Sequence, residues 1–152
     1  MGHMATTTRT EPLAQLGVLL AGRGAVASAR VRDTLAAQGL TMRCVFTLTH
    51  LADGPVNQQT LIDLLGVDPS ALVAVLNELE SLGMASRQRD PADRRRHIVT
   101  ITPQGTAALR SVDSALDSAD DDLFAALSSD ERDQLERLLT KVADAGSCGD
   151  KY

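Results

Sequence analysis

Five arginines fall within twelve residues of this chain, in the segment SRQRDPADRRRH at positions 86–97: Arg87, Arg89, Arg94, Arg95 and Arg96. A guanidinium is charged at every physiological pH and offers a planar fork of donors that matches a phosphate or a base edge. That segment suits the holding of a polyanion. Asn57, Gln58, Gln59 and Thr60 stand together further upstream, with polar groups of the size that meets backbone phosphates. Covalent chemistry has no such footing. The chain has no glycine-rich phosphate loop, no nucleophile motif and no carboxylate pair in a predicted cleft, so it reads as a non-enzyme. Asp120, Asp121 and Asp122 are adjacent, but successive helical positions face different ways, which makes them a solvated surface rather than a cation site. His50 and His97 are isolated, no cluster has metal-ligand spacing, and neither a metal nor another cofactor is expected.

The basic segment is exceptional in its own chain. The formal net charge is −5, yet residues 84–105 carry a net +3 between residues 57–83 at −4 and residues 106–152 at −6. Such a patch dominates its local field while the molecule as a whole stays acidic. At 152 residues the chain is long enough for one domain with a real core. The only aromatic residues are Phe46, Phe124 and Tyr152, so that core must be aliphatic. Cys44 and Cys148 are far apart and make no disulfide framework, which fits a reducing, cytoplasmic setting. No apolar run approaches the roughly 20 residues of a membrane span and no signal-peptide pattern opens the chain, so no membrane partner is expected. Gly2, His3 and Met4 read as a cloning scar, and residues 1–10 as tag remnant and disordered start.

The elements that would position the arginines follow from periodicity and caps. Residues 12–38 form a long helix with leucines at 13, 16 and 20, weakened and open to a kink at Gly22 and Gly24 and closed by Gly39. Thr41 caps a second helix at 42–52, and Asn57 caps a third at 58–65 that ends at Gly66. A very short strand fits at Val56. Asp68 followed by Pro69 opens a fourth helix running to Leu82, with Leu72, Val75, Leu76, Leu79 and Leu82 as its buried stripe. Strands at 84–89 and 97–101 flank a turn at Asp90, Pro91, Ala92 and Asp93, giving a hairpin with a basic tip. A fifth helix spans 103–126, with Leu109, Val112, Leu116, Ala119, Leu123 and Ala126 at the spacing of helix–helix seams. Ser128 and Glu131 form a capping box for a sixth at 129–145, whose stripe is Leu135, Leu138, Leu139 and Val142. The predicted fold is therefore mainly α with a small β-hairpin: a winged helix-turn-helix lobe at 39–102 (wing 90–96), an N-terminal helical arm at 11–38, C-terminal helices at 103–146 and a tail at 147–152.

The stretch from GLTMRC through LIDLLGVDPSALVAVLNELESLGMASRQRDPADRRRHIVTITPQG resembles the multiple-antibiotic-resistance (MarR-type) transcription regulators. The specific parts are the RDPADRR wing, the following TITPQG and the helix ending in LESLG; the similarity covers residues 39–107. The resemblance implies a cytoplasmic homodimer that binds a pseudo-palindromic operator on double-stranded DNA and usually represses a nearby gene. It implies dimerisation through the first, fifth and sixth helices, whose leucine stripes exceed what one small lobe can cover. It places Arg95 at the position that enters the minor groove and Asp93 at the acidic position that fixes the wing. It also implies a small aromatic or anionic inducer in a cleft between the dimer helices and the DNA lobe, for which Arg30, Arg43, Phe46 and His50 are the candidates.

The fourth helix, which would lie in the major groove, exposes Ser70, Val73, Ala74, Asn77 and Ser81 opposite its leucine stripe. Here the chain departs from the family pattern: Val73 and Ala74 replace a threonine and an arginine, Glu78 stands where a basic residue is common, and residues 57–83 contain no Lys or Arg. Bidentate reading of guanine by an arginine of this helix is thereby excluded. Val73 and Ala74 suit thymine methyls, and Asn77 an adenine edge. Arg94, Arg95 and Arg96 alternate in direction if the strand continues through them, and Arg87 and Arg89 are phosphate partners. Two alternatives remain open: a winged-helix module that binds protein rather than DNA, for which the uncharged helix argues, and a regulator switched by oxidation of Cys44, against which a buried structural thiol is the favoured reading.

Overall fold

The computed structural model describes residues 15–145, and side chains as far as Val142. The scar, the start of the chain through Leu13, the stop at Gly146 and the tail with Cys148 lie outside the described residues. Six helices and three strands follow in the order α1 (Leu16–Ala37), α2 (Met42–Ala52), β1 (Val56–Asn57), α3 (Gln58–Leu65), α4 (Pro69–Ser81), β2 (Ala85–Arg89), β3 (His97–Ile101), α5 (Pro103–Leu123) and α6 (Ser129–Ala145).

Each helix in the lobe begins where a side chain can satisfy an orphan amide. The Thr41 hydroxyl accepts from the Cys44 amide, Asn57 Oδ1 from the Gln59 amide at 2.8 Å, and Asp68 Oδ1 from the Ala71 amide at 2.9 Å. The Ser128–Glu131 box is reciprocal: the Glu131 amide donates to Ser128 Oγ, and Glu131 Oε2 accepts from the Ser128 amide. At the end of α1, Gly39 is left-handed with φ 71°, and the Leu40 amide returns to the Leu35 carbonyl at 3.0 Å. Leu35 and Leu40 are both buried there, so the turn that stops the helix also seals the lobe.

The two strands of the hairpin and β1 make one antiparallel sheet in the order β1-β3-β2, with Val56 opposite Val99 and Arg87 opposite Val99 on the other side. Its inner face and the stripes of α2, α3 and α4 enclose an aliphatic core of Leu48, Leu51, Leu61, Leu72, Leu76, Leu79 and Val99, closed by Leu35 of α1 and Val112 of α5. Removing any one of these leucines to alanine costs about 2–5 kcal/mol.

The junction between hairpin and α5 is tight. The Thr102 amide donates to the Met84 carbonyl at 3.0 Å, its hydroxyl donates to the Gly83 carbonyl at 2.6 Å, and the same hydroxyl accepts from the Gly105 amide. Gly105 is buried so closely under the start of β2 that a Cβ there would sit 2.1 Å from the Met84 carbonyl oxygen. The glycine of TITPQG is thus a packing requirement of the helix start.

Three expectations need correction. The first helix starts at Leu16 rather than residue 12, because Gln15 has extended backbone (φ −65°, ψ 138°). The fifth helix ends at Leu123, not 126. Arg132 of α6 reaches back to Asp121 Oδ1 at 2.7 Å and to the Phe124 carbonyl at 3.1 Å, which satisfies the helix end and turns the chain. Residues 93–96 are a turn, so the alternation expected for Arg94, Arg95 and Arg96 is absent: the Arg96 amide donates to the Asp93 carbonyl, and β3 begins only at His97. Helix α1 continues through Gly22 and Gly24 without interruption.

Candidate nucleic-acid interface

The face of α4 away from the core is short, neutral and open. Ser70, Val73, Ala74, Asn77 and Ser81 are all exposed, while Leu72, Val75, Leu76 and Leu79 are buried. The helix is presented by the turn at Gly66, which is left-handed with φ 62°, and by the Asp68–Pro69 start. The Asp68 carboxyl lies below its usual range because the Ser70 hydroxyl and the Ala71 amide both donate to it.

Next to that face stands a polar relay that residue spacing alone does not show. Glu80, one turn beyond Asn77, holds Arg87 of β2 at three points. Its Oε1 accepts from the Arg87 backbone amide at 2.9 Å, and its Oε2 accepts from Nε at 3.1 Å and from Nη2 at 2.6 Å. These bonds hold the Glu80 carboxyl below its ordinary value. The same Nη2 donates to Asn77 Oδ1. Arg87 is therefore committed to α4, and the phosphate role expected for it competes with a two-toothed ion pair. Nothing in the sequence around Glu80 singles it out. An acidic side chain seven residues before an arginine carries no periodic signal, and only the packing of α4 on β2 joins them.

The wing is shaped by its own acids. Asp90 Oδ1 accepts from the Ala92 amide at 2.8 Å, the Asp90 amide donates to the Arg96 carbonyl, and Asp93 Oδ1 accepts from the Arg95 amide at 3.1 Å. Asp93 also pairs with Arg96 at 3.4 Å, in a bridge open to solvent on both sides. Arg89, Arg94 and Arg95 are exposed, and none takes part in an ion pair among the described residues. The start of α3 comes up beside the wing: Asn57, Gln58, Gln59, Thr60, Arg95, Arg96 and His97 line one concavity of about 560 Å³. The upstream polar cluster and two of the wing arginines, separate in sequence, thus form one surface.

A second, more apolar cleft of about 510 Å³ lies between α2 and the α3–α4 turn, lined by Arg43, Phe46 and His50 together with Met42, Leu64, Leu65 and Val67. It brings together three of the four inducer candidates; Arg30 is exposed on α1 and is not part of it. Cys44, adjacent in sequence, points the other way into the core and is fully buried. Burial pushes its thiol up from the ordinary value of 9.0; the Thr41 contacts oppose this, and the Glu78 carboxylate, which accepts from the thiol at 3.4 Å, adds to it. A thiol held protonated and out of solvent lacks both properties of a redox sensor.

Outside the lobe, α1 and α6 leave apolar side chains uncovered: Leu16 is 81% exposed, and Leu19, Val26, Leu138 and Val142 are each about half exposed. No single helix among the described residues is long and apolar enough to cross a membrane.

The family model described as MarR family matches residues 38–96, the span from the end of α1 through the wing. A protein named for transcriptional regulation of the hcr operon in Thauera aromatica is 35% identical over 123 residues, covering 79% of this chain and 74% of that one. The chain belongs to the MarR family. The likeness extends to three dimensions. The wild-type MarR of E. coli in its apo form superposes with a TM-score of 0.72 at 25% identity, covering 87% of this chain and 98% of that one. CouR from Rhodococcus jostii RHA1, solved bound to p-coumaroyl-CoA, superposes with a TM-score of 0.66 at 27% identity, covering 88% and 96%. This protein is accordingly a MarR-family transcriptional regulator, with the winged helix-turn-helix lobe of that family.

Proposed function

We propose that this MarR-family regulator is a cytoplasmic, ligand-responsive repressor without enzymatic activity, binding a pseudo-palindromic operator as a homodimer. The observation that carries the reading is the shared surface at the base of the wing, where Asn57, Gln58, Gln59 and Thr60 meet Arg95 and Arg96. In it the wing arginines supply attraction and minor-groove contact, with Arg89 and Arg94 on flanking phosphates. The α3 start meets the backbone, and Ser70, Val73, Ala74 and Asn77 face the major groove. The uncovered apolar faces of α1 and α6 support pairing of two chains through residues 11–38 and 103–146, since contiguous apolar surface of this kind marks an interface.

The α2 cleft takes the inducer, an aromatic anion whose ring lies against Phe46 and Leu65 and whose charge meets Arg43, with His50 at the rim. CouR, crystallised with an aromatic acyl thioester, supports this class of ligand. Selecting bound sequences from random duplex DNA tests the reading. A palindrome with half-sites about one helical turn apart is expected. The absence of any enriched sequence would refute it and favour a module that binds protein.

A further inference from the structure

Asn77 occupies the middle of the α4 face that the proposed function places in the major groove, and its carboxamide is not free to turn. Arg87 Nη2 sits against one end of the amide. A guanidinium only donates, so the end it meets must be the carbonyl oxygen, and the Nδ2 amino group is left on the outer side. The guanidinium is in turn held through Nε and Nη2 by Glu80 Oε2, and Oε1 of the same carboxylate holds the Arg87 backbone amide, so the guanidinium cannot follow the amide if it rotates. Charge-assisted, two-point pairing of this kind is among the stronger and more directional polar contacts.

The consequence concerns base choice. Pairing with adenine in the major groove needs a carbonyl oxygen to accept from N6 and an amino group to donate to N7, side by side on one edge. In this chain the oxygen is turned back toward β2 and only donors face outward. Guanine N7 and O6, or thymine O4, offer that amino group acceptors with no donor on the same base edge; adenine offers only N7, beside an N6 amino group that is left without its acceptor. We infer that Asn77 favours base edges that present acceptors and no donor, guanine or thymine, over adenine, with Arg87 and Glu80 as positioning residues that set the direction of its amide. This rests on the reading of α4 as the major-groove helix. It also reassigns Arg87, from a phosphate contact to a determinant of a base it never touches.

The experiment compares wild-type full-length protein with Asn77→Ala and with the double variant Glu80→Gln/Arg87→Met, which removes both charges together and leaves the local net charge unchanged. Each is put through selection from random duplexes, followed by titration of single-base variants of the best site. Wild type is expected to prefer guanine or thymine at one position in each half-site, and Asn77→Ala to lose the preference at that position alone. In the double variant the amide is released, and relative preference there moves toward adenine by on the order of tenfold. The salt dependence of binding stays as in wild type, since no phosphate contact has gone. An unchanged base profile in the double variant, or a shallower salt dependence, would overturn the inference. Should the double variant fail to melt cooperatively, wild type alone decides: preference for adenine at the Asn77-sensitive position overturns it. Failure of wild type to enrich any sequence would take the proposed function down as well, whereas enrichment with any of the other adverse results removes only this inference.

Discussion

Salt gives the sharpest test of the proposed grip of the wing on DNA, because the structure separates arginines whose charge is available from those whose charge is engaged. Arg87 is bound by Glu80 at 2.6 Å, and Arg96 shares its charge with Asp93. Arg89, Arg94 and Arg95 are exposed and outside any ion pair among the described residues, which gives three available cations per protomer. If a dimer sets all of these against the negative potential of the duplex, Arg89 and Arg94 at phosphates and Arg95 in the minor groove, about six counterions leave, and log K against log salt has a slope of roughly −5. Affinity for the selected operator should then fall by about a thousandfold between 50 and 200 mM salt. Fluorescence anisotropy on a labelled duplex at five or six salt concentrations measures this directly. Arg95→Ala in both protomers should reduce the steepness by roughly two units. Its loss of affinity should be largest on operators with A·T-rich flanks, whose narrow minor groove concentrates negative potential. A wild-type slope shallower than about −2, or an unchanged slope in Arg95→Ala, would refute the counting of these side chains. Equal loss on every flank would restrict Arg95 to a phosphate.

Gly105→Ala should destabilise the lobe by about 1–3 kcal/mol in chemical denaturation, since a methyl must push the Met84 carbonyl away; a neutral result would mean that the junction is looser than its geometry. Arg43→Ala should weaken binding of benzoate, as a minimal aromatic anion, on the order of tenfold by calorimetry, and equal affinity would remove Arg43 from the cleft. Burial raises the Cys44 thiol above 9.0, so the stabilisation is complete below that pH and is lost as pH climbs through the raised folded value. Unfolding free energy should therefore fall more steeply above pH 9 in wild type than in Cys44→Ala. In a Cys148→Ser background, native protein at neutral pH should react with iodoacetamide far more slowly than a free thiol; a rate equal to that of a free thiol would restore the sensor reading.

Much of the fold is legible because its signals are local. Thr41, Asn57, Asp68, Thr102 and Ser128 each accept from an amide two or three residues on, so cap and helix appear in one short window. The stripe of α4 is equally readable, with Leu72, Val75, Leu76 and Leu79 buried as their spacing requires. What escaped the sequence crosses between elements. The end of α5 is decided by Arg132, which lies in the next helix, while the intrinsic preference of Leu123 to Ala126 is to continue. The commitment of Arg87 to Glu80 and Asn77 depends on β2 packing against α4, and residue type alone assigns that arginine to phosphate. The wing arginines were legible as a group, but their directions were not, because Asp93 folds residues 93–96 into a turn through side-chain and main-chain bonds.

The join at Thr102 and Gly105 has a mechanical meaning. A single residue separates β3 from α5, and its amide and hydroxyl are both fastened to the carbonyls that precede β2. No linker exists in which the ribbon can swing by itself. In the proposed dimer, whatever draws the two ribbons apart or together must rotate each lobe as a solid piece, with the long helix behind it acting as the lever arm.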